Sequence, residues 1–148
     1  MRKRITYSQN FLWNKKLVAT LVDNSSLKEE DVVYEIGAGQ GIITEALIKK
    51  CKKVIAFEID ENLYHKLNER FKGLSNAELQ LGDFLNYDAP QGNYKVFSNI
   101  PFNITANVIK KFTQSKNTPL DTYLIVQEEA AERFLGKPFA QKETQSST

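Results

Sequence analysis

Cysteine and histidine are all but missing from this chain: Cys51 and His65 each stand alone. A single thiol excludes a disulfide framework and a cysteine-ligated zinc site. Cys51 lies among lysines at the end of a helical pattern, where a surface or half-buried thiol is expected. His65 sits on a polar helical stretch and is expected to be exposed and idle in catalysis. Long apolar runs are missing too, and none approaches the ~20 residues that span a bilayer. The N-terminus is basic, Arg2-Lys3-Arg4, but lacks the apolar core of a signal peptide. A cytoplasmic protein with no membrane partner is the expectation. Strong charge of one sign is also lacking: the net charge of +2 says little about partners. The basic residues are nonetheless clustered, at Arg2-Lys3-Arg4, Lys15-Lys16, Lys49-Lys50, Lys52-Lys53 and Lys110-Lys111. Such pairs are either solvated helix faces or a track for a phosphate backbone. No internal repeat and no linker interrupts the chain.

What is present is an ordinary globular composition, 41% hydrophobic and 26% charged over 148 residues. That length predicts one domain, over residues 1–140, with a polar and disordered tail at 141–148. The stretch around which the rest is organised is Tyr34-Glu35-Ile36-Gly37-Ala38-Gly39-Gln40-Gly41-Ile42. An apolar β-type run, Val32-Val33-Tyr34, enters a glycine-rich turn and leaves as a helix with Ile42, Ile43, Ala46 and Leu47 at helical spacing. Glycines at alternate positions let the backbone turn tightly and approach a ligand closely. The helix that follows aims its free N–H groups back at that ligand. The dinucleotide fingerprint Gly-x-Gly-x-x-Gly is not matched, because the third glycine comes one residue early.

Asn14 is the expected cap of a first helix bearing Leu17, Val18 and Leu21. Strands are predicted at about Val32–Gly37, Val54–Ile59, Ala77–Leu81, Tyr94–Ser98 and Thr122–Val126. Between them fall helices over Gly41–Lys50, a stripe of Leu63, Leu67, Phe71 and Leu74, and a stripe of Ile104, Val108, Ile109 and Phe112 with Lys110 and Lys111 off it. A short helix from Glu128 to Leu135 follows. This alternation predicts an α/β, mainly parallel, doubly wound sheet with ligands at the carboxyl ends of its strands.

The residues at those ends carry the chemistry. Glu58 lies 21 positions after Gly37, the distance at which an acid reaches a ribose held by the glycine turn. Asp83 can accept from an exocyclic adenine amino group; alternatively, Asp60 and Asp83 are helix caps. In Asn99-Ile100-Pro101-Phe102 the proline holds Ile100 extended. The Asn99 amide and a neighbouring carbonyl can then grip a base NH2 from two sides. Phe102 offers a face for that base, worth roughly 1–3 kcal/mol by stacking. The alternative is a strand-to-helix turn in which Asn99 bonds only its own backbone.

These residues together resemble the S-adenosylmethionine-dependent adenine-N6 methyltransferases of ribosomal RNA, over about residues 7 to 136. Gln9-Asn10-Phe11-Leu12 is similar to the family's N-terminal motif, which closes over the methionine end of the cofactor. The resemblance implies a Rossmann-like methyltransferase fold with S-adenosyl-L-methionine as cofactor and no metal. Position by position it places Gln9, Asn10, Leu12, Gly37 and Gly39 around the cofactor, with Glu58, Ile59, Asp83 and Asn99. Asn99, the Ile100 carbonyl and Phe102 would hold a flipped adenine and form the catalytic set. Two branches compete for the substrate. Asn-Ile-Pro followed by an aromatic is nearer the Erm-type enzymes, which dimethylate 23S rRNA and confer macrolide-lincosamide-streptogramin B resistance. The alternative is a dimethyladenosine transferase acting on small-subunit (16S) rRNA during ribosome assembly.

The family fold usually has seven strands and a C-terminal helical domain, and five strands are expected here. The sequence therefore reads as an N-terminal portion, apparently truncated after strand five. On that reading the polypeptide binds the cofactor weakly, turns over slowly or not at all, and self-associates through strand five. A nicotinamide-dependent oxidoreductase is the rival enzyme class, and a cofactor- or rRNA-binding fragment without turnover is the rival non-enzyme.

Overall fold

In the computed structural model residues 14–100 and 102–125 are described, Phe102 by its backbone alone. Gln9, Asn10, Leu12, Val126, the expected helix over 128–135 and the tail lie outside these residues. The elements in order are α1 (Lys15–Asp23), β1 (Val32–Ile36), α2 (Ile42–Lys50), β2 (Lys53–Glu58), α3 (Glu61–Phe71) and β3 (Ala77–Leu81). A 3-10 turn (Phe84–Asn86), β4 (Lys95–Asn99), α4 (Phe102–Gln114) and β5 (Thr122–Ile125) complete them. Asn14 caps α1, its side chain accepting from the Leu17 N–H at 3.0 Å.

The five strands form one sheet in the order β3-β2-β1-β4-β5, every neighbouring pair parallel. Parallel strands need helices on both faces, which is why β2 reads as an unbroken apolar run. On one face Val33, Val54 and Phe97 pack against Val18 and Val22 of α1 and Ile43 and Leu47 of α2. Leu67 and Phe71 of α3 close the same face over Ala56. On the other face Ile36, Phe57 and Val96 pack under Val108 and Phe112 of α4 and Phe84 of the 3-10 turn. Each such side chain fully buried contributes about 1.5–3 kcal/mol.

Two expectations fail for the same reason, namely where an element stops. Cys51 is 5% exposed and packs with Leu47 and Val54, because the end of α2 turns inward onto β2. Burial first, and then Asp31, push its thiol up to about 11. Leu74 is instead exposed, since α3 ends at Phe71 and Gly73 turns the chain outward.

The amino ends of the strands are knit by a charge that pattern reading passed over. Lys95 Nζ, nearly buried, donates to Asp31 Oδ2 at 2.8 Å and to the Ser26 carbonyl at 2.9 Å. The Asp31 bond leads in raising its pKa. Removing one partner of such a buried pair costs roughly 3–5 kcal/mol.

Candidate active site

The strand order reverses between β1 and β4, and there the two strands part. Only Val33↔Lys95 and Tyr34↔Val96 pair across them. At the next ladder position the Ile36 N–H donates to the Ser98 hydroxyl at 2.6 Å, in place of a backbone carbonyl. Ser98 is fully buried, so its side chain satisfies a backbone donor that would otherwise be orphaned as the strands splay. The result is a crevice at the carboxyl ends, where open α/β sheets bind ligands.

The glycine loop forms one wall. The N–H groups of Gly37 and Ala38 both donate to the Phe57 carbonyl, at 2.8 and 3.0 Å, and so anchor the loop to β2. Gly37, Gly39 and Gly41 all have positive φ, at 79°, 57° and 80°. Their surroundings differ. A Cβ on Gly39 would meet nothing nearer than the Gly37 carbonyl at 4.0 Å, so that side of the loop is open. A Cβ on Gly41 would come within 2.7 Å of Leu67 Cδ2 and 3.0 Å of Arg70 Nη1. The third glycine therefore serves the approach of α3 to the loop. Arg70 holds that approach: its Nη1 donates to the Gln40 carbonyl at 2.9 Å and its Nη2 pairs with Glu45 in the first turn of α2. Burial opposes ionisation of Glu45, yet Arg70, Lys49 and Lys15 hold its carboxyl below the ordinary value.

Glu58 has a bracing role within the protein that the sequence reading did not foresee. Only 6% exposed, it accepts from the Gly39 N–H at 2.7 Å through Oε1 and from the Asp60 N–H at 2.9 Å through Oε2. It thus ties the glycine loop to the start of α3. A carboxylate has about four acceptor sites when ionised, of which these two bonds use two. Next to it Ile59 is 68% exposed, an apolar side chain standing in the open at the strand ends. Asp60 caps α3 through the Leu63 N–H, as one reading held. Asp83 is likewise a cap, Oδ1 accepting from Leu85 N–H at 3.0 Å, while Oδ2 has no partner among the described residues. The Gly82 N–H donates to the Glu58 carbonyl at 2.9 Å, which sets Asp83 beside Glu58 and Ile59.

β4 supplies the opposite wall. Asn99, half-buried, is its last residue, and its amide has no hydrogen-bond partner among the described residues. The turn reading, with Asn99 bonded to its own backbone, therefore does not hold. The Asn99 carbonyl lies 3.8 Å from where a Cβ on Gly37 would be, so loop and strand end face each other. Ile100 is 1% exposed and donates its N–H to the Ile125 carbonyl at 3.0 Å. Its side chain is core, which leaves its carbonyl as the group available to a substrate. Two residues later α4 begins at Phe102.

One ionisable group escaped sequence reading. Glu35, 1% exposed, accepts from the Thr44 hydroxyl at 2.5 Å, bridging β1 to α2 beneath the loop. Burial above all, with Glu58 nearby and against the Thr44 bond, raises its pKa to about 8. No local signal marks it, because an acid inside an apolar strand reads equally well as a strand end.

S-adenosylmethionine, the cofactor that this fold implies, fits these residues. The open Gly39 side, Glu58, the exposed Ile59 and Asp83 Oδ2 all stand at the carboxyl ends of β1, β2 and β3, offering acceptors and apolar surface.

The family model of ribosomal RNA adenine dimethylase matches residues 1–147. An rRNA adenine N-6-methyltransferase of Escherichia coli is 38% identical over 136 residues, 91% of this chain and 55% of the relative. A ribosomal RNA small subunit methyltransferase A of Caldanaerobacter subterraneus subsp. tengcongensis is also 38% identical, over 146 residues, 93% of this chain and 54% of the relative. Among solved structures, the 23S rRNA methyltransferase ErmE superposes with a TM-score of 0.76 at 27% identity, covering 84% of this chain and 50% of that one. A dimethyladenosine transferase from Plasmodium falciparum gives 0.69 at 28% identity, covering 90% and 46%. The chain thus spans about half the length of the relatives it matches. With a family model running from one end of the sequence to the other and relatives this similar along it, the protein belongs to the ribosomal RNA adenine dimethylase family.

Proposed function

We propose that this chain provides the cofactor site and adenine site of an S-adenosylmethionine-dependent rRNA adenine-N6 methyltransferase. The observation that carries this reading is Asn99 at the end of β4, its backbone carbonyl 3.8 Å from where a Cβ on Gly37 would be and its side-chain amide without a hydrogen-bond partner among the described residues. S-adenosylmethionine supplies an electrophilic methyl group when bound. Adenine N6 is a weak nucleophile because its lone pair is delocalised into the ring. Asn99 and the Ile100 carbonyl, accepting from the two N6–H bonds, draw that nitrogen toward a tetrahedral, nucleophilic form. The Phe102 ring stacks on the base and holds it in register, and fixed geometry of this kind lowers barriers by several kcal/mol. Attack needs no prior base, since the proton becomes acidic once the methyl is on nitrogen.

Within the family we favour 23S rRNA dimethylation of the Erm type, hence macrolide-lincosamide-streptogramin B resistance. Asn99-Ile100-Pro101 followed by an aromatic supports it, as does the higher TM-score with ErmE. Small-subunit rRNA is the second reading, supported by the equal identity to a small subunit methyltransferase A. Labelled-methyl transfer to naked 23S rRNA, naked 16S rRNA and assembling small subunits separates them. In a polypeptide that carries this chain and turns over, Asn99→Ala is expected to abolish transfer while RNA affinity falls little, because phosphate contacts dominate that affinity. Phe102→Tyr is expected to retain activity and Phe102→Ala to lose most of it. Full activity of Phe102→Ala would remove the ring from the adenine site.

A further inference from the structure

One groove among the described residues lies away from the glycine loop. It holds about 900 Å³ between the second half of α4 and the segment over 88–92, which leads into β4. We propose that this groove seats the phosphate backbone of the RNA that flanks the target adenine. The proposal rests on the rRNA reading above and adds a surface to it.

Charge is the first argument. Alone among the described helices, α4 contains no Asp or Glu. Asn103, Asn107, Lys110 and Gln114 recur at helical spacing and lie on its exposed face, a stripe rich in hydrogen-bond donors. Lys110 and Lys116 line the groove, are exposed, and have no ion-pair partner among the described residues. Lys15, Lys49, Lys50, Lys53 and Lys72 each lie against a carboxylate, and Lys16, Lys28, Lys52 and Lys66, also without an ion pair among the described residues, are scattered over separate segments. Across the groove stands one acid, Asp88. A cationic, donor-lined groove with so little opposing charge suits a polyanion.

The second argument is that the groove is held in shape before anything binds. Lys111 Nζ donates to the Leu85 carbonyl at 3.3 Å and to that of Tyr87, and lies 5.1 Å above the Phe84 ring. At the other end Asn117 Nδ2 donates to the carbonyls of Pro90 and Gly92 at 2.8 and 2.7 Å. The facing segment is held at one end by Lys111 of α4 and at the other by Asn117 in the loop after it, so Lys111 positions a wall while Lys110 and Lys116 have no ion-pair partner among the described residues.

The third argument is continuity. α4 opens at Phe102, directly after Asn99 and Ile100, so the helix runs from the proposed adenine site into the groove. Lys110 lies eight residues along it, which at 1.5 Å per residue is about 12 Å. That is about three to four steps of a stacked strand at ~3.4 Å each. With a base held at Asn99, the phosphates about three to four nucleotides along the strand come beside Lys110, and later ones beside Lys116.

The test compares Lys110→Glu/Lys116→Glu with Lys52→Glu/Lys66→Glu, an equal change of charge at two exposed lysines outside the groove. A fluorescent rRNA stem-loop bearing a target adenine is titrated at several KCl concentrations, and S-adenosylmethionine binding is measured by calorimetry. The groove pair is expected to lose at least tenfold in RNA affinity and about 1–2 from the slope of log K against log salt. Its cofactor affinity should stay within twofold, and the control pair should lose less than threefold in RNA affinity. Lys110→Gln/Lys116→Gln, with native circular dichroism, should fall between wild type and the reversed pair. Equal losses in both pairs, or no loss in the groove pair, overturn the proposal while leaving the methyltransferase reading in place. Displacement of the probe by polyglutamate as readily as by RNA of equal charge overturns it in favour of an acidic polypeptide. A wild-type chain that binds cofactor but no RNA removes both readings together.

Discussion

Glu35 shows how one carboxyl couples the site to pH. Burial holds its folded pKa at about 8, against an ordinary value of 4.5. Between those values the folded protein keeps a proton that the unfolded chain has released. Its contribution to stability is therefore fully present below about pH 4.5 and is lost as pH rises towards 8. Glu35→Gln preserves the bond from Thr44 and cannot ionise. It is expected to flatten that part of the melting profile and to exceed wild type above pH 8 by a few kcal/mol, on the order of 1.4 per pKa unit. Parallel melting curves of the two proteins from pH 5 to 9 would refute this. Glu58 works by a different route, since it shapes the loop that it also serves. Glu58→Ala should weaken S-adenosylmethionine binding by roughly 1.5–3 kcal/mol, the size of a hydrogen bond to a charged group. It should also lower the melting temperature of the ligand-free protein, because Gly39 and Asp60 lose their acceptor. Unchanged affinity in a folded variant sinks the ribose assignment; an unchanged ligand-free melt sinks the bracing role.

At the scale of the element, the glycine loop divides its labour between folding and binding. Gly41 has φ 80° and no room for a Cβ beside Leu67 and Arg70. Gly41→Ala should therefore destabilise the fold by about 1–3 kcal/mol, from backbone strain and crowding together. Gly39→Ala carries a φ of 57° but projects into open space. Its folding cost should be the smaller, about 1–2 kcal/mol, while its loss of cofactor affinity should be the greater. Melting and calorimetry on the two variants decide the point, and the reverse ranking would move the ligand to the α3 side of the loop. The motif after β4 is equally compact. In four residues it passes from an interstrand position at Asn99, through a core anchor at Ile100, to a helix start at Phe102.

For the whole molecule, the sheet is built outward from β1, with β3 and β5 as its outer strands among the described residues. Tyr123, Leu124 and Ile125 of β5 are half-buried, packed inward on β4 and the two cores. Among the described residues no strand pairs with the outer side of β5, and an edge of that kind is a template for another chain. The 148-residue polypeptide is accordingly expected to self-associate as its concentration rises. Sedimentation velocity showing a monomer throughout the accessible range would remove strand five as a contact. At the opposite end of the sheet Lys95 joins β4 to the segments before β1 and β5, and this fixes the strand order from below while the crevice opens above.

Local pattern determined much of this protein. The strand and helix periods, the glycine turn after Val32-Val33-Tyr34, the acid at Glu58 and the strand end at Asn99 are properties of neighbours in sequence. They were legible for that reason, the end of α3 at Phe71 rather than Leu74 being the widest miss. Tertiary structure decided the rest, because burial and hydrogen-bond partners depend on which strand lies beside which. β1 lies against β4, 62 positions away in sequence, and only that pairing gives Ser98 the Ile36 N–H and opens the crevice. Only the packing of α3 on the loop shows why Gly41 is glycine and what Arg70 holds. Glu35 acquires its raised pKa, and Cys51 its burial, when α2 folds over β1 and β2 and excludes the water that would otherwise solvate them.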